Sequence, residues 1–162
     1  MKRFSLLALT LSLAACGSDD PAEESIDVEG CEHLSEGPAV AVTAGATPEE
    51  APGVADDHMR YDVTLVPVDG GNGGTVAFDS AEAADFVFFL GADVALGITD
   101  SGAQAVTIEE SATSSPECVE IRGRHVAELT VGTHYLSLGP TAEESVSLVI
   151  EHAAGHEEHE GE

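Results

Sequence analysis

The chain has 162 residues, with 31 aspartates and glutamates against only 5 lysines and arginines, and its formal net charge at pH 7 is −26. Such a charge repels nucleic acids and anionic lipid headgroups, because both are bound through clustered lysine and arginine. These numbers exclude a nucleic-acid partner, and the length suits one domain with a proper core. The acidity fits either a cation-attracting surface or adaptation to salty surroundings. We favour adaptation, because the acids are scattered through every segment.

The amino terminus has the pattern of a secretory signal. Lys2 and Arg3 precede an apolar run from Phe4 to Leu13, and small residues follow it. A run of about 10 apolar residues is too short to span a bilayer of about 30 Å. Residues 1–15 are therefore predicted to be a signal peptide.

The sequence Leu13-Ala14-Ala15-Cys16, followed by Gly17, resembles the lipobox of bacterial lipoproteins. The resemblance implies that Cys16 carries a diacylglyceryl group, that the chain is cut before it, and that the new amino terminus is acylated. Stable anchoring needs more than one acyl chain, and the three palmitate-like chains of that family provide them. Gly17 in place of aspartate implies sorting to the outer membrane of a bacterial cell envelope. The alternative is an ordinary secreted protein with a chance cysteine.

Two cysteines remain if Cys16 carries lipid. Cys31 and Cys118 form an even pair in an exported chain, where oxidising conditions let disulfides persist. The sequence therefore predicts a disulfide between them. A reduced thiolate pair that holds a metal is the alternative, although no further ligands lie at close spacing around either cysteine.

The composition divides the mature chain into three parts. Residues 16–30 are polar and acidic without a sustained period, which predicts a tether. Residues 31–151 are predicted to form a single domain. Residues 152–162 are too polar for a core and are predicted to be a disordered tail rich in histidine and glutamate. The part after the signal contains no lysine, and its only arginines are Arg60, Arg122 and Arg124.

Short strands dominate the predicted domain. Met59, Tyr61, Val63 and Leu65 alternate with polar residues, which is typical of a half-buried strand. Residues 85–90 include apolar residues at both odd and even positions, which predicts a central strand that is covered on both faces. Gly132-Thr133 predicts a tight hairpin. Further strands are predicted at residues 39–44, 75–78, 93–98, 104–109, 118–122, 125–131, 134–138 and 145–151.

These strands are separated by glycine and proline turns, and no long amphipathic helix is predicted. The pattern predicts an all-β fold, a single antiparallel β-sandwich or jelly roll of about 8 to 10 short strands. No repeat supports a propeller or a solenoid.

Catalytic motifs are missing from the sequence. It contains no Gly-x-Ser-x-Gly nucleophile motif, and no Ser-x-x-Lys. The glycine loop at residues 69–74 lacks the Gly-Lys-Ser/Thr of a phosphate loop and predicts a turn. Paired acids occur throughout, so that no pair stands out. We therefore expect no enzyme activity.

Histidine is the residue type that suggests a function. His152, His156 and His159 lie among glutamates in the tail, and such a tract is a compositional signal for metal binding. A second, preformed site from His33, His58 and His134 is a weaker hypothesis, which requires these histidines to converge. His125 and His134 are expected to lie too far apart along a hairpin to share one ion. The alternative is that the tail is a solvated polar segment without a ligand, and that the histidines of the domain are core residues whose hydrogen bonds are satisfied.

The sequence thus favours a lipid-anchored envelope protein that binds or buffers a divalent transition metal such as Zn, Ni or Cu. The alternative is a structural or partner-binding envelope lipoprotein without metal or catalytic activity. The membrane contact is expected through the lipid on Cys16.

Overall fold

The structure, a computed structural model, describes residues 25–153. The predicted signal peptide, Cys16, most of the predicted tether and the tail residues His156 and His159 lie outside the described residues. Within them the chain forms one α-helix, one short 3-10 helix (Pro48–Glu50) and the following strands: β1 Ala39–Thr43, β2 Gly53–Val54, β3 Arg60–Thr64, β4 Val66–Val68, β5 Gly71–Ser80, β6 Ala84–Leu90, β7 Leu96–Asp100, β8 Glu110–Ala112, β9 Gly123–Leu129, β10 Gly132–Thr141 and β11 Ser145–His152. The α-helix, α1, spans Ile26–Ser35.

The strands form two sheets that pack face to face. One sheet has six strands in the order β1-β3-β11-β6-β9-β8, and the other has the order β2-β5-β10-β7, with β4 also paired to β5. Apolar side chains from both sheets fill the space between them, including Phe88 and Ile150 from the first and Phe78 and Leu136 from the second. The predicted all-β sandwich is confirmed.

Two edge pairings depart from the predicted antiparallel arrangement. β1 runs parallel to β3, and β2 runs parallel to β5. A parallel neighbour requires a long crossover rather than a hairpin. The segment between β1 and β3, which contains the 3-10 helix and β2, provides that crossover.

β6 has the two buried faces that its sequence predicts. Phe86, Phe88 and Leu90 point into the core between the sheets. Val87 and Phe89 point to the outer face, where they pack with Cys118, Leu34 of α1 and other apolar residues. β6 is therefore the central strand beneath α1.

The predicted hairpin at Gly132-Thr133 is wrong. β9 pairs with β6 and β8 in the six-stranded sheet, whereas β10 pairs with β5 and β7 in the other sheet. The chain crosses between the sheets at residues 130–131, and Gly132, at φ 128°, begins β10. This crossing lets Leu129 and Leu136 face the same core from opposite sides, which buries the apolar face of each strand.

Several predicted strand boundaries also need correction. Residues 104–109 form only an isolated bridge, Ala105 with Thr99, and the predicted strand at 93–98 begins later, at Leu96. Residues 118–122 form no strand, because Cys118 and Ile121 are buried at a spacing of three under α1 instead of alternating. β8 covers residues 110–112, for which no strand was predicted.

α1 begins inside the predicted tether. The side chain of Ser25 accepts a hydrogen bond from the backbone N–H of Asp27. The acidic side chains in the first turn also stabilise the helix, because they lie at the positive end of its dipole. The helix fully buries only Gly30 and Leu34, so apolar residues do not recur along its sequence at a clear helical spacing. Gly30 lies against the ring of Phe89, where a Cβ atom would come within 2.4 Å. This close approach places α1 directly over the six-stranded sheet.

Candidate metal centre

Four side chains with metal-binding chemistry converge where α1 meets the end of β11. They are Glu29, His33, His58 and Glu151, and one potential ligand atom from each lies within 4.8 Å of every other. The four come from a helix, a loop and a strand that are distant in the sequence. The cluster thus joins the two ends of the described chain to its middle.

α1 supplies two of the four residues. Glu29 and His33 are four residues apart, a spacing that places both side chains on one face of a helix. That face is directed at the outer side of β11, with which α1 is in contact. The helix therefore presents one carboxylate and one imidazole to the same point.

Glu151 forms the floor of the cluster. It lies on β11 opposite Val87 of β6, and its side chain is only 1% exposed. Nδ1 of His33 and Oε1 of Glu151 share a hydrogen bond of 2.6 Å, whereas Oε2 has no hydrogen-bond partner among the described residues. Burial raises the pKa of Glu151 above its usual value, although His33 opposes that change. A buried carboxylate in this state is stabilised by a bound cation.

His58 closes the cluster from the loop before β3. Its backbone adopts a left-handed conformation, with φ 56°, which is uncommon outside glycine but enriched in histidine. Nδ1 lies 3.5 Å from both Glu29 Oε1 and Glu151 Oε2. The rings of His33 and His58 are 5.0 Å apart between centroids. The side chain of His58 is 43% exposed, so the cluster opens to solvent on this side.

A buried tyrosine fixes the loop that carries His58. The hydroxyl of Tyr61 donates to the carboxylate of Asp57 at 3.0 Å and accepts from the backbone N–H of Ala55 at 3.1 Å. Burial and the adjacent Asp57 raise the pKa of Tyr61, so that the hydroxyl keeps its proton for this contact. These two bonds hold the loop, and with it His58, in place. Neither bond involves a residue of the cluster.

Three distances within the cluster can be compared with those around a four-coordinate ion. Ligand atoms bound to a tetrahedral zinc at about 2.0–2.2 Å are about 3.4 Å apart. The two contacts of His58 at 3.5 Å already have this length. The 2.6 Å bond between His33 and Glu151 must lengthen by several tenths of an ångström.

The structure brings together two of the three histidines predicted for a preformed site. His33 and His58 meet, but the inclusion of His134 is wrong. His134 lies on β10 in the five-stranded sheet, 1% exposed in the core, where its Nδ1 contacts the carbonyl oxygen of Gly132. The prediction failed because it paired β10 with β9, and the two strands belong to different sheets.

The predicted tail site is only partly described. His152 is the last residue of β11 rather than part of a disordered tail. Its ring packs against Phe86, and its Nε2 lies 2.9 Å from Asp56 Oδ2. Successive strand residues point to opposite faces, so His152 points away from the cluster that Glu151 joins. The contribution of His156 and His159 stays a prediction.

Sequence reasoning missed the two carboxylates of the cluster. Glu29 lies in the segment that is predicted to be a tether, although its spacing of four from His33 is typical of a helix. Glu151 is the last residue of the predicted domain and precedes the tail histidines. A stronger indication of a functional role is that this acid directly follows Val149 and Ile150, in the part of the strand that is buried.

The predicted disulfide is present. Cys31 of α1 and Cys118 are bonded, with their Cα atoms 5.7 Å apart. Glu120 Oε2 lies 3.7 Å from the sulfur of Cys31 and 3.4 Å from that of Cys118. The sulfurs are joined to each other, so they are not thiolate ligands in this state.

Comparisons with known proteins add one partial likeness. No protein-family profile matches the chain, and no curated protein sequence matches it significantly. Among residues 25–153, no helix is both long and apolar enough to cross a membrane. One solved structure that is similar is the pre-peptidase C-terminal domain of collagenase from Bacillus anthracis, at 13% identity and a TM-score of 0.43, with 65% of this chain and 98% of that one covered.

Proposed function

We propose that the protein binds or buffers a divalent transition metal through Glu29, His33, His58 and Glu151. The observation that carries the proposal is the convergence of two imidazoles and two carboxylates, of which the buried Glu151 has one oxygen without a hydrogen bond among the described residues. Burying a carboxylate without a full set of partners is costly, and a bound cation removes that cost. The role proposed is binding without catalysis.

The ligand types favour zinc, nickel or copper over calcium or magnesium. Imidazole suits the later transition metals, whereas calcium and magnesium prefer oxygen ligands in larger numbers. A set of two histidines and two glutamates fits tetrahedral zinc well. The strongly acidic chain raises the local concentration of any cation near the site.

We also propose that the site is displayed on a bacterial envelope by lipid on Cys16. The support is the lipobox-like sequence Leu13-Ala14-Ala15-Cys16 and the polar segment that follows it. Mass spectrometry of the protein from its native membrane tests this directly. A lipidated amino-terminal Cys16 supports the anchor, and an unmodified thiol at that position contradicts it.

Calorimetric titration with zinc tests the metal site. The protein should bind one zinc ion tightly, and His33→Ala/His58→Ala should weaken this binding by at least about 10- to 100-fold, the loss usual even for outer-shell partners of a metal. The matched control is His156→Ala/His159→Ala, which removes two histidines from the tail and leaves the cluster intact. It should retain the tight site.

Two other outcomes would change the conclusion. If only the tail variant lost zinc, the metal would be bound by the predicted tail and not by this cluster. If no variant and no unmodified protein showed heat of binding with zinc or nickel, the metal proposal would be wrong. A structural or partner-binding envelope lipoprotein would then be the better interpretation.

A further inference from the structure

We propose that the Cys31–Cys118 disulfide holds the metal centre assembled, so that zinc affinity depends on whether this pair is oxidised. The inference rests on the proposed function of the site. Cys31 lies on α1 between the two ligands that the helix supplies, Glu29 and His33. The disulfide therefore fixes the element that carries half of the ligand set to the segment between β8 and β9, in which Cys118 is buried.

Few other contacts hold α1 in place. The helix has ten residues, a length at which isolated helices are marginal in water, and it fully buries only Gly30 and Leu34. Two arginines and one histidine add polar contacts. Arg124 Nε lies 2.8 Å from Asp27 Oδ1, and Arg60 Nη1 donates to the carbonyl of Leu34 at 2.9 Å. The third contact is the bond between His33 and Glu151 described above. Since partly exposed ion pairs contribute little, the covalent bond is the strongest single attachment.

Repulsion between carboxylates weakens the docking of α1 when no cation is bound, although the contact of His33 with Glu151 opposes this effect. The carboxylates of Glu29 and Glu151 face each other across the cluster, and the whole chain is strongly negative. Repulsion between like charges at this distance favours movement of the helix away from β11. A covalent bond is insensitive to that repulsion, so the disulfide keeps the metal-free site preorganised. Preorganisation raises affinity, because less of the binding energy is used to order the ligands.

The coupling must act in both directions. If the closed disulfide favours zinc, bound zinc favours the closed disulfide by the same factor. Reduction by a dithiol breaks the Cys31–Cys118 bond, transfers two electrons and two protons to form two thiols, and converts the dithiol to its own disulfide. The freed thiols lie beside Glu120 and can themselves bind zinc, so a serine variant is the better substitute for the reduced state.

The test compares zinc affinity in two chains that both carry His156→Ala/His159→Ala. The first keeps the disulfide, and the second adds Cys31→Ser/Cys118→Ser. Competition with a chromophoric zinc indicator should show affinity about tenfold or more lower in the second chain, as expected if the assembled site is populated a tenth of the time or less. Equal affinities in two folded chains would overturn the inference. Absence of binding in the first chain would instead contradict the proposed function.

A second measurement applies even if the serine variant does not fold. A water-soluble phosphine reduces the disulfide, with water supplying the oxygen of the phosphine oxide and the two protons. Saturating zinc should slow this reduction several-fold in the unmodified protein, measured by thiol labelling, and should not slow it in His33→Ala/His58→Ala. A disulfide with a purely structural role would show the same rate with and without zinc, and that result would also overturn the inference.

Discussion

Nδ1 of His33 lies 2.6 Å from Oε1 of Glu151, although 118 residues separate them in the sequence. This contact joins α1, at the start of the described chain, to β11, at its end. Glu151 is buried at the base of the cluster, and its second oxygen lacks a hydrogen bond among the described residues. A charged Glu151 therefore lowers the stability of the metal-free protein, whereas the proposed metal binding requires that charge.

Glu151→Gln should raise the melting temperature of the metal-free protein at neutral pH and reduce its stabilisation by zinc. Burial raises the pKa of Glu151, so its ionisation opposes folding, and stability is lost as the pH rises through the folded-state pKa. Thermal unfolding at neutral pH and below pH 4.5, with and without zinc, checks this. The gain should vanish below the usual pKa of 4.5. A lower melting temperature at neutral pH would contradict it.

Tyr61→Phe should weaken zinc binding through the loop that carries His58. The substitution removes a hydroxyl that bonds both Asp57 and the backbone of Ala55. We expect a loss of about 0.5–1.5 kcal/mol in the free energy of unfolding, the usual net contribution of a hydrogen bond, because Asp57 is exposed and Ala55 is only half-buried. The control is Tyr135→Phe on β10, in the other sheet. Zinc titration of both variants should show weaker binding only for Tyr61→Phe.

Gly30→Ala should displace α1 from the sheet. A Cβ atom at this position would lie 2.4 Å from the ring of Phe89, so helix or ring must move. Overpacking of this kind costs about 1–3 kcal/mol. Gly53→Ala is the matched control, since its Cβ would meet nothing within 4 Å. Chemical unfolding should show the loss for Gly30→Ala alone, and equal stability of the two variants would mean that α1 is not closely docked.

His125 should make folding stability fall in mild acid. Burial lowers the pKa of His125 below its usual value of 6.5, because the charged imidazole is poorly solvated there. The unfolded chain then takes up a proton first, so this contribution is complete above pH 6.5 and is lost as the pH falls below it. Unfolding of the protein and of His125→Gln between pH 5 and 8 measures the difference. Parallel curves for the two proteins would refute the assignment.

Salt should stabilise the metal-free protein. The chain carries 31 acids, and in the described residues Arg60 and Arg124 are each already paired with nearby carboxylates. Self-repulsion of the remaining acids weakens as the screening length falls to about 3 Å near 1 M salt. The melting temperature should therefore rise between 0.1 and 1 M potassium chloride. A flat or falling curve would argue against adaptation to salty surroundings.

Local patterns in the sequence were sufficient for much of the fold. The alternation around Tyr61 and Val63 predicted β3, and the apolar run at 85–90 predicted a strand buried on both faces. Both patterns report the burial of a single element, which neighbouring residues are enough to reveal. The alternation of residues along the strand also predicted that the side chain of His134 points into the core, as it does. The Cys31–Cys118 bond followed from counting cysteines.

By itself, the sequence determined the all-β character, the disulfide and the excess of histidine and acid from which a metal site could be built. Only the tertiary structure decided that β9 and β10 lie in different sheets, that α1 covers β6, and that Glu29 and Glu151 join His33 and His58. The physical reason is that strand order and helix docking depend on which apolar faces meet. Those faces belong to segments that are far apart in the chain, so no short stretch of sequence records their pairing.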